Sequence, residues 1–204
     1  MEKESVRSVL FAFILIVALA SMAPAVVLDF DALPCCAALP IMSGLSWFNT
    51  YNIDATTWPF ASGYLPGMVS SPNIAVNLGG APAGFHSATP FMLGGFYLTA
   101  GWNDGLAVDV VGKLLGGTLY STTLYPSATA PTLYNFGWAG IDEVVFTPYG
   151  GTPHPGYEIG GTHFVMDNLY IDEMPADVIP EPGTWALMGC GLAGLALARR
   201  RRPQ

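Results

Sequence analysis

The chain of 204 residues carries 15 acidic and seven basic side chains, a formal charge of −8, at a mean hydropathy of +0.43. Six of the seven positive charges lie in the end segments, so residues 26–179 set twelve acidic residues against Lys113 alone, a formal charge of −11. Such a surface repels a phosphate backbone, which excludes nucleic acid and anionic lipid as partners of this region, while divalent cations and neutral ligands such as sugars stay compatible with it.

At the start, Lys3 and Arg7 precede an apolar run over residues 9–20, and Ser21-Met22-Ala23-Pro24-Ala25 follows. Ala23 and Ala25 supply small residues at the −3 and −1 positions of a cut after Ala25, so residues 1–25 read as a signal-peptide helix. The apolar core is shorter than the roughly 20 residues that a membrane span needs. Cys35 and Cys36 are adjacent and Cys190 lies in a C-terminal apolar stretch. No loop-closing pair is available, a vicinal bond would be strained, and the spacing fits no zinc site. The expectation is therefore no disulfide framework.

Residues 26–177 read as one all-β domain. Helical periodicity is missing, and Gly and Pro punctuate the chain at intervals suited to short strands. Strands are predicted over residues 26–33, 44–51, 73–78, 91–100, 106–111, 118–125, 132–136, 143–148 and 163–172. This set suits a two-sheet jelly-roll-like β-sandwich. In the fifth strand Leu106, Val108 and Val110 alternate with Ala107, Asp109 and Val111, the pattern of a half-buried strand. Residues 91–98 are apolar on both faces, which predicts a central, covered strand, and Gly94-Gly95 within it predicts a bulge or bend.

In the last predicted strand, strict alternation puts Asp167 on one face with Val165, Leu169 and Ile171. A carboxylate among apolar side chains needs a partner. Asp29 and Asp31 share a face of the first strand, about 7 Å apart, and first and last strands commonly pair in a jelly roll. Asp29, Asp31 and Asp167 are thus candidate oxygen ligands for calcium, with backbone hydrogen bonds to Asp167 as the alternative. Among the many aromatic residues, Trp58 and Trp102, set in Pro- and Gly-containing turns, are the candidate sugar-stacking rings, although core packing is the commoner use of such rings. His86, His154 and His163 are isolated, no nucleophile motif occurs, and Asp142 and Glu143 are neighbours in a strand and face opposite ways. No catalytic role is assigned.

Past the domain, Pro180-Glu181-Pro182-Gly183 forbids helix and central strand and leaves an extended backbone. An apolar, uncharged helix over about residues 184–198 follows, opening at Trp185, a residue suited to a membrane interface. Arg199, Arg200, Arg201 and Arg202 then form a basic end that stays cytoplasmic by the positive-inside rule. Motif, short span and basic cluster, in that order behind a signal peptide, resemble the PEP-CTERM sorting signal of Gram-negative bacteria over residues 178–204. The resemblance implies recognition by an exosortase, a membrane cysteine protease or transpeptidase found in species that make exopolysaccharide. It also implies export through the inner membrane to the periplasm, surface or matrix, with a single C-terminal transmembrane helix before processing.

Val27-Leu28-Asp29-Phe30-Asp31, Gly44-Leu45-Ser46-Trp47-Phe48-Asn49, Gly140-Ile141-Asp142-Glu143-Val144 and Phe164-Val165-Met166-Asp167-Asn168-Leu169 are loosely similar to jelly-roll ectodomains that accompany this tail. The expected role is that of a structural or adhesive cell-envelope or matrix protein, with exopolysaccharide or other matrix components as partners. A carbohydrate-binding module is the alternative, and a hydrolase a third reading.

Overall fold

The computed structural model describes residues 26–175, so Ala23 and Ala25 of the predicted signal peptide, the motif Pro180-Glu181-Pro182, Trp185 and the four terminal arginines lie outside the described residues. Within them the chain is mostly β and antiparallel. In order come β1 (Val26–Leu28), β2 (Ala37–Ala38), β3 (Leu45–Phe48), β4 (Thr50–Asp54), α1 (Tyr64–Gly67), β5 (Asn73–Asn77), β6 (Ala83–Ala100), β7 (Asn103–Asp104), β8 (Ala107–Leu114), β9 (Gly117–Leu124), β10 (Thr132–Tyr149), β11 (Thr152–Pro153) and β12 (Phe164–Ile171).

Two strands of 18 residues, β6 and β10, organise the fold, because they pair with each other over most of their length and bend together. At the bend, four residues of β6 separate His86 from Phe91 while one residue of β10 separates their partners Glu143 and Ile141. Pro90, which has no N–H to give to a ladder, sits in that irregular stretch. One half of each strand belongs to a first layer, β2-β4-β5-β12-β6-β10, and the other half to a second, β3-β6-β10-β8-β9, while β7 and β11 form a small separate pair.

The layers face each other through aromatic rings. Phe146 in the second layer lies 5.4 Å from Phe96 and 5.5 Å from Phe164 in the first, centroid to centroid. Leu106, just before β8, and Val108 and Val110 within it are fully buried in this core, as their alternation predicted. The opposite face of the first layer is also covered. There Ile74, Val76, Val165, Tyr64 and Trp102 form a second apolar cluster under α1 and the loop before it. Burial of the first layer on both faces explains why β5 has no solvent-facing position and why residues 91–98 show no alternation.

Two expectations are corrected. The predicted strands 132–136 and 143–148 are one strand, because Gly137 (φ 64°) and Gly140 (φ 75°) serve as bulges rather than turn ends. Cys35 and Cys36 are bonded to each other in spite of the expected strain, with Cys36 in the left-handed region at φ 70°.

β1 pairs antiparallel with β12, Val26 opposite Ile171, so the first and last strands are neighbours. Past Ile171 the chain crosses back over β6 and β10. A methyl group on Gly94 would strike the carbonyl of Glu173, and one on Gly95 would press on Pro175.

Candidate functional site

The strict alternation predicted for β12 fails at one residue. Phe164 and Met166 face the main core and Val165 faces the second cluster, yet Leu169 and Ile171 return to the main core. Asn168 is the cause: it adopts φ 46°, and the register with β6 slips between Asp167 and Tyr170. Asp167 therefore points with Val165 towards α1, away from Leu169 and Ile171.

There its carboxylate is fully buried and meets the loop that follows α1. Oδ2 accepts the backbone N–H groups of Val69 at 2.6 Å and Ser70 at 2.9 Å. Oδ1 accepts the Ser70 hydroxyl at 3.1 Å and the Asn168 N–H at 2.7 Å. Each oxygen thus takes two donors, which occupies its lone pairs. Burial raises the Asp167 carboxyl to about 6, against the lowering effect of these bonds.

Asp29 and Asp31 do come near, as the pairing of first and last strands implied, but through intermediates. Ser70 Oγ also lies 3.4 Å from the Asp29 carbonyl, and Asp31 Oδ1 accepts the Asn73 N–H at 2.9 Å. The amide of Asn73 donates in turn to the carbonyls of Phe30, Asp31 and Leu33. The arrangement ties the segment after β1, the loop before β5 and strand β12 into one knot. With Asp167 turned onto protein donors it has no oxygen free for calcium, and among the described residues no group of three or more His, Cys, Asp or Glu is placed to hold a metal ion. Incubation with EDTA is expected to leave the melting temperature unchanged; a fall would show a bound divalent cation.

Of the two candidate sugar-stacking rings, Trp102 is 1% exposed in the second cluster, 5.4 Å from Tyr64, and presents no face to a ligand. Its place in a Gly-containing turn suggested exposure, but α1 covers it. Trp58 is half-buried, packed between Phe60 at 5.7 Å and Tyr64 at 4.9 Å.

The open ring-bearing surface lies instead on the outer face of the second layer, where the pairing of β10, β8 and β9 sets the side chains in rows. Tyr149 is opposite Ala107, and Leu124 opposite Val108, so Tyr125 completes the first row. Thr147, Asp109 and Thr123 form the second row, and Val145, Val111 and Ser121 the third. Tyr149 and Tyr125 are 47% and 67% exposed, whereas Ala107 between them is 5% exposed. Asp109 Oδ1 accepts the hydroxyls of Thr123 at 2.6 Å and Tyr149 at 3.3 Å. The Tyr149 phenol is raised by partial burial and then by the charge of Asp109. Further along, Lys113 Nζ meets Glu143 at 3.1 Å, which neutralises the one cation of this face. Sequence reasoning assigned no role to this cluster. The signal available was the outward alternation of Ala107, Asp109 and Val111, with tyrosines at the ends of two flanking strands.

Comparison with known proteins yields one family model, the PEP-CTERM protein-sorting motif, over residues 178–202. No curated protein matches the chain. Among solved structures it is similar to TmCBM61 in complex with β-1,4-galactotriose, at 8% identity and a TM-score of 0.38 over 62% of this chain and 85% of that one. It is also similar to a cleaved adhesin domain of Lys-gingipain from Porphyromonas gingivalis, at 14% identity and a TM-score of 0.39 over 75% and 99%. The chain therefore joins a β-rich ectodomain to a PEP-CTERM protein-sorting motif at residues 178–202.

Proposed function

We propose that this is a cell-envelope or extracellular-matrix protein with a structural or adhesive role, delivered by exosortase. The observation that carries the reading is the sorting motif directly behind the domain, since a PEP-CTERM motif implies export, a C-terminal membrane anchor before processing, and processing by exosortase. The acidic surface supports a place outside the cell among neutral polymers rather than on anionic lipid. This reading takes the two layers as a jelly-roll-like sandwich, supported by the pairing of β1 with β12. It assigns the protein no catalytic role.

The test is the mass of the protein isolated from its native host, with and without exosortase. Two cuts are expected in the wild type, one after Ala25 and one near Pro182, and the second should disappear in the deletion strain. Recovery of the intact 21.6 kDa chain from both strains would overturn the proposal.

A further inference from the structure

The outer face of the second layer has a composition that neither the sorting motif nor the core accounts for. Its first row is two exposed tyrosines across a small, flat floor, Ala107, with the rings two strand spacings apart, roughly 10 Å. Its second row sets two threonines on either side of one carboxylate and its third sets Ser121 beside two valines, and Asp109 with Val111, Ser121, Thr122 and Thr123 lines a shallow depression of about 200 Å³.

We infer that this face binds an uncharged polysaccharide, with sugar rings laid on Tyr149 and Tyr125 and sugar hydroxyls bonded to Asp109, Thr123 and Ser121. The inference names a partner for the matrix role proposed above and rests on that reading only for where protein and polymer meet.

Three observations select the ligand class. Sugar rings present apolar C–H faces and hydroxyl edges, and the face offers aromatic surface in one row and hydrogen-bonding groups in the next. Exposed tyrosines supply contact area at a low cost in conformational entropy, and the bond from Tyr149 to Asp109 further fixes one of them before any ligand arrives. Acidic polymers are disfavoured, because Asp109 lies at the centre of the face and Lys113 is already paired with Glu143. The remaining occupant of an open sheet face would be a second copy of the chain. Two copies would oppose Asp109 carboxylates across a domain of net charge −11.

The experiment is affinity electrophoresis of the purified full chain in gels containing a neutral glucan, galactan or mannan, with alginate as the acidic comparison. The wild type should be retarded by at least one neutral polymer and not by alginate. The double substitution Tyr125→Ala/Tyr149→Ala should weaken retardation roughly tenfold or more, the scale of losing a central aromatic contact. Both rings are exposed, so the fold should survive, checked by an unchanged melting temperature. Phe60→Ala, which removes another exposed ring (47%) from a different surface, should bind like the wild type. Absence of retardation by every neutral polymer, retardation by alginate, or an unchanged double variant would each overturn the inference. A dimer that dissociates on the double substitution would do so as well, by assigning the face to self-association. Because binding is read on the purified chain, an error about sorting leaves this result untouched and is detected separately by the mass measurement.

Discussion

Asp167→Ala is expected to lower the melting temperature by about 10 °C or more. The substitution leaves the N–H groups of Val69, Ser70 and Asn168 facing an apolar space where a carboxylate had accepted them. Buried donors without partners cost of order 1–3 kcal/mol each, so a total of about 3–5 kcal/mol is reasonable for a site that relaxes in part. Measured against a total stability of about 5–15 kcal/mol, that is a large fraction. The effect also spreads, because Ser70 bridges Asp167 to the segment after β1. An unchanged melting temperature would show that the knot contributes nothing.

The same residue sets a pH dependence whose sign is the reverse of an ordinary surface aspartate. Its folded-state value of about 6 lies above the 3.8 of an unperturbed aspartate, because burial outweighs the four donors. A raised value favours the folded state fully below about pH 4, and that contribution is lost as the pH rises through about 6. The upper bound is roughly 3 kcal/mol, from about two pKa units at 1.36 kcal/mol each. Urea midpoints of the wild type should therefore fall between pH 4 and pH 7, and those of Asp167→Asn should fall less. Parallel curves for the two proteins would remove Asp167 as the cause.

Gly94→Ala carries the second large effect. The added methyl group meets the carbonyl of Glu173 and the Cβ of Tyr170, and neither is the far end of a flexible side chain. Backbone must move, at about 3 kcal/mol or more, the upper range for overpacking a closed site. What moves is the segment that leads from β12 to the sorting motif. Gly105→Ala is the comparison: its φ is +68° but open space surrounds it, so only the backbone strain of about 1 kcal/mol applies. Equal losses for the two variants would contradict the close approach at Gly94.

Much of the strand pattern could be read in the chain because burial on one face leaves alternation behind. Val108 and Val110 announce β8 in that way, and the apolar run over residues 91–98 announces the strand covered on both sides. Other features leave no such trace. Asn168 breaks the register of β12 by adopting a left-handed backbone, which asparagine tolerates but does not advertise. Gly137 and Gly140 look like turn residues, yet they bend a continuous strand. Trp102 and Tyr149 illustrate the same difficulty at the site. Both are aromatic residues beside glycine, and only the tertiary cover of α1 decides that the first is buried and the second is not. The knot around Asp167 joins positions about 100 residues apart, which no local pattern encodes.

The pairing of Val26 with Ile171 also brings the start of β1 and the end of β12 to one pole of the domain. β1 begins and β12 ends beside the bend of β6 and β10, since Ile171 lies against Leu93 and lines a common cleft with Val26, Pro90 and Phe91. Only residues 176 and 177 separate the last described position, Pro175, from the start of the sorting motif. Tyr149 lies eight residues along β10 from Ile141, about 26 Å at the rise of a strand. The tyrosine row is thus carried towards the pole opposite the paired ends of β1 and β12.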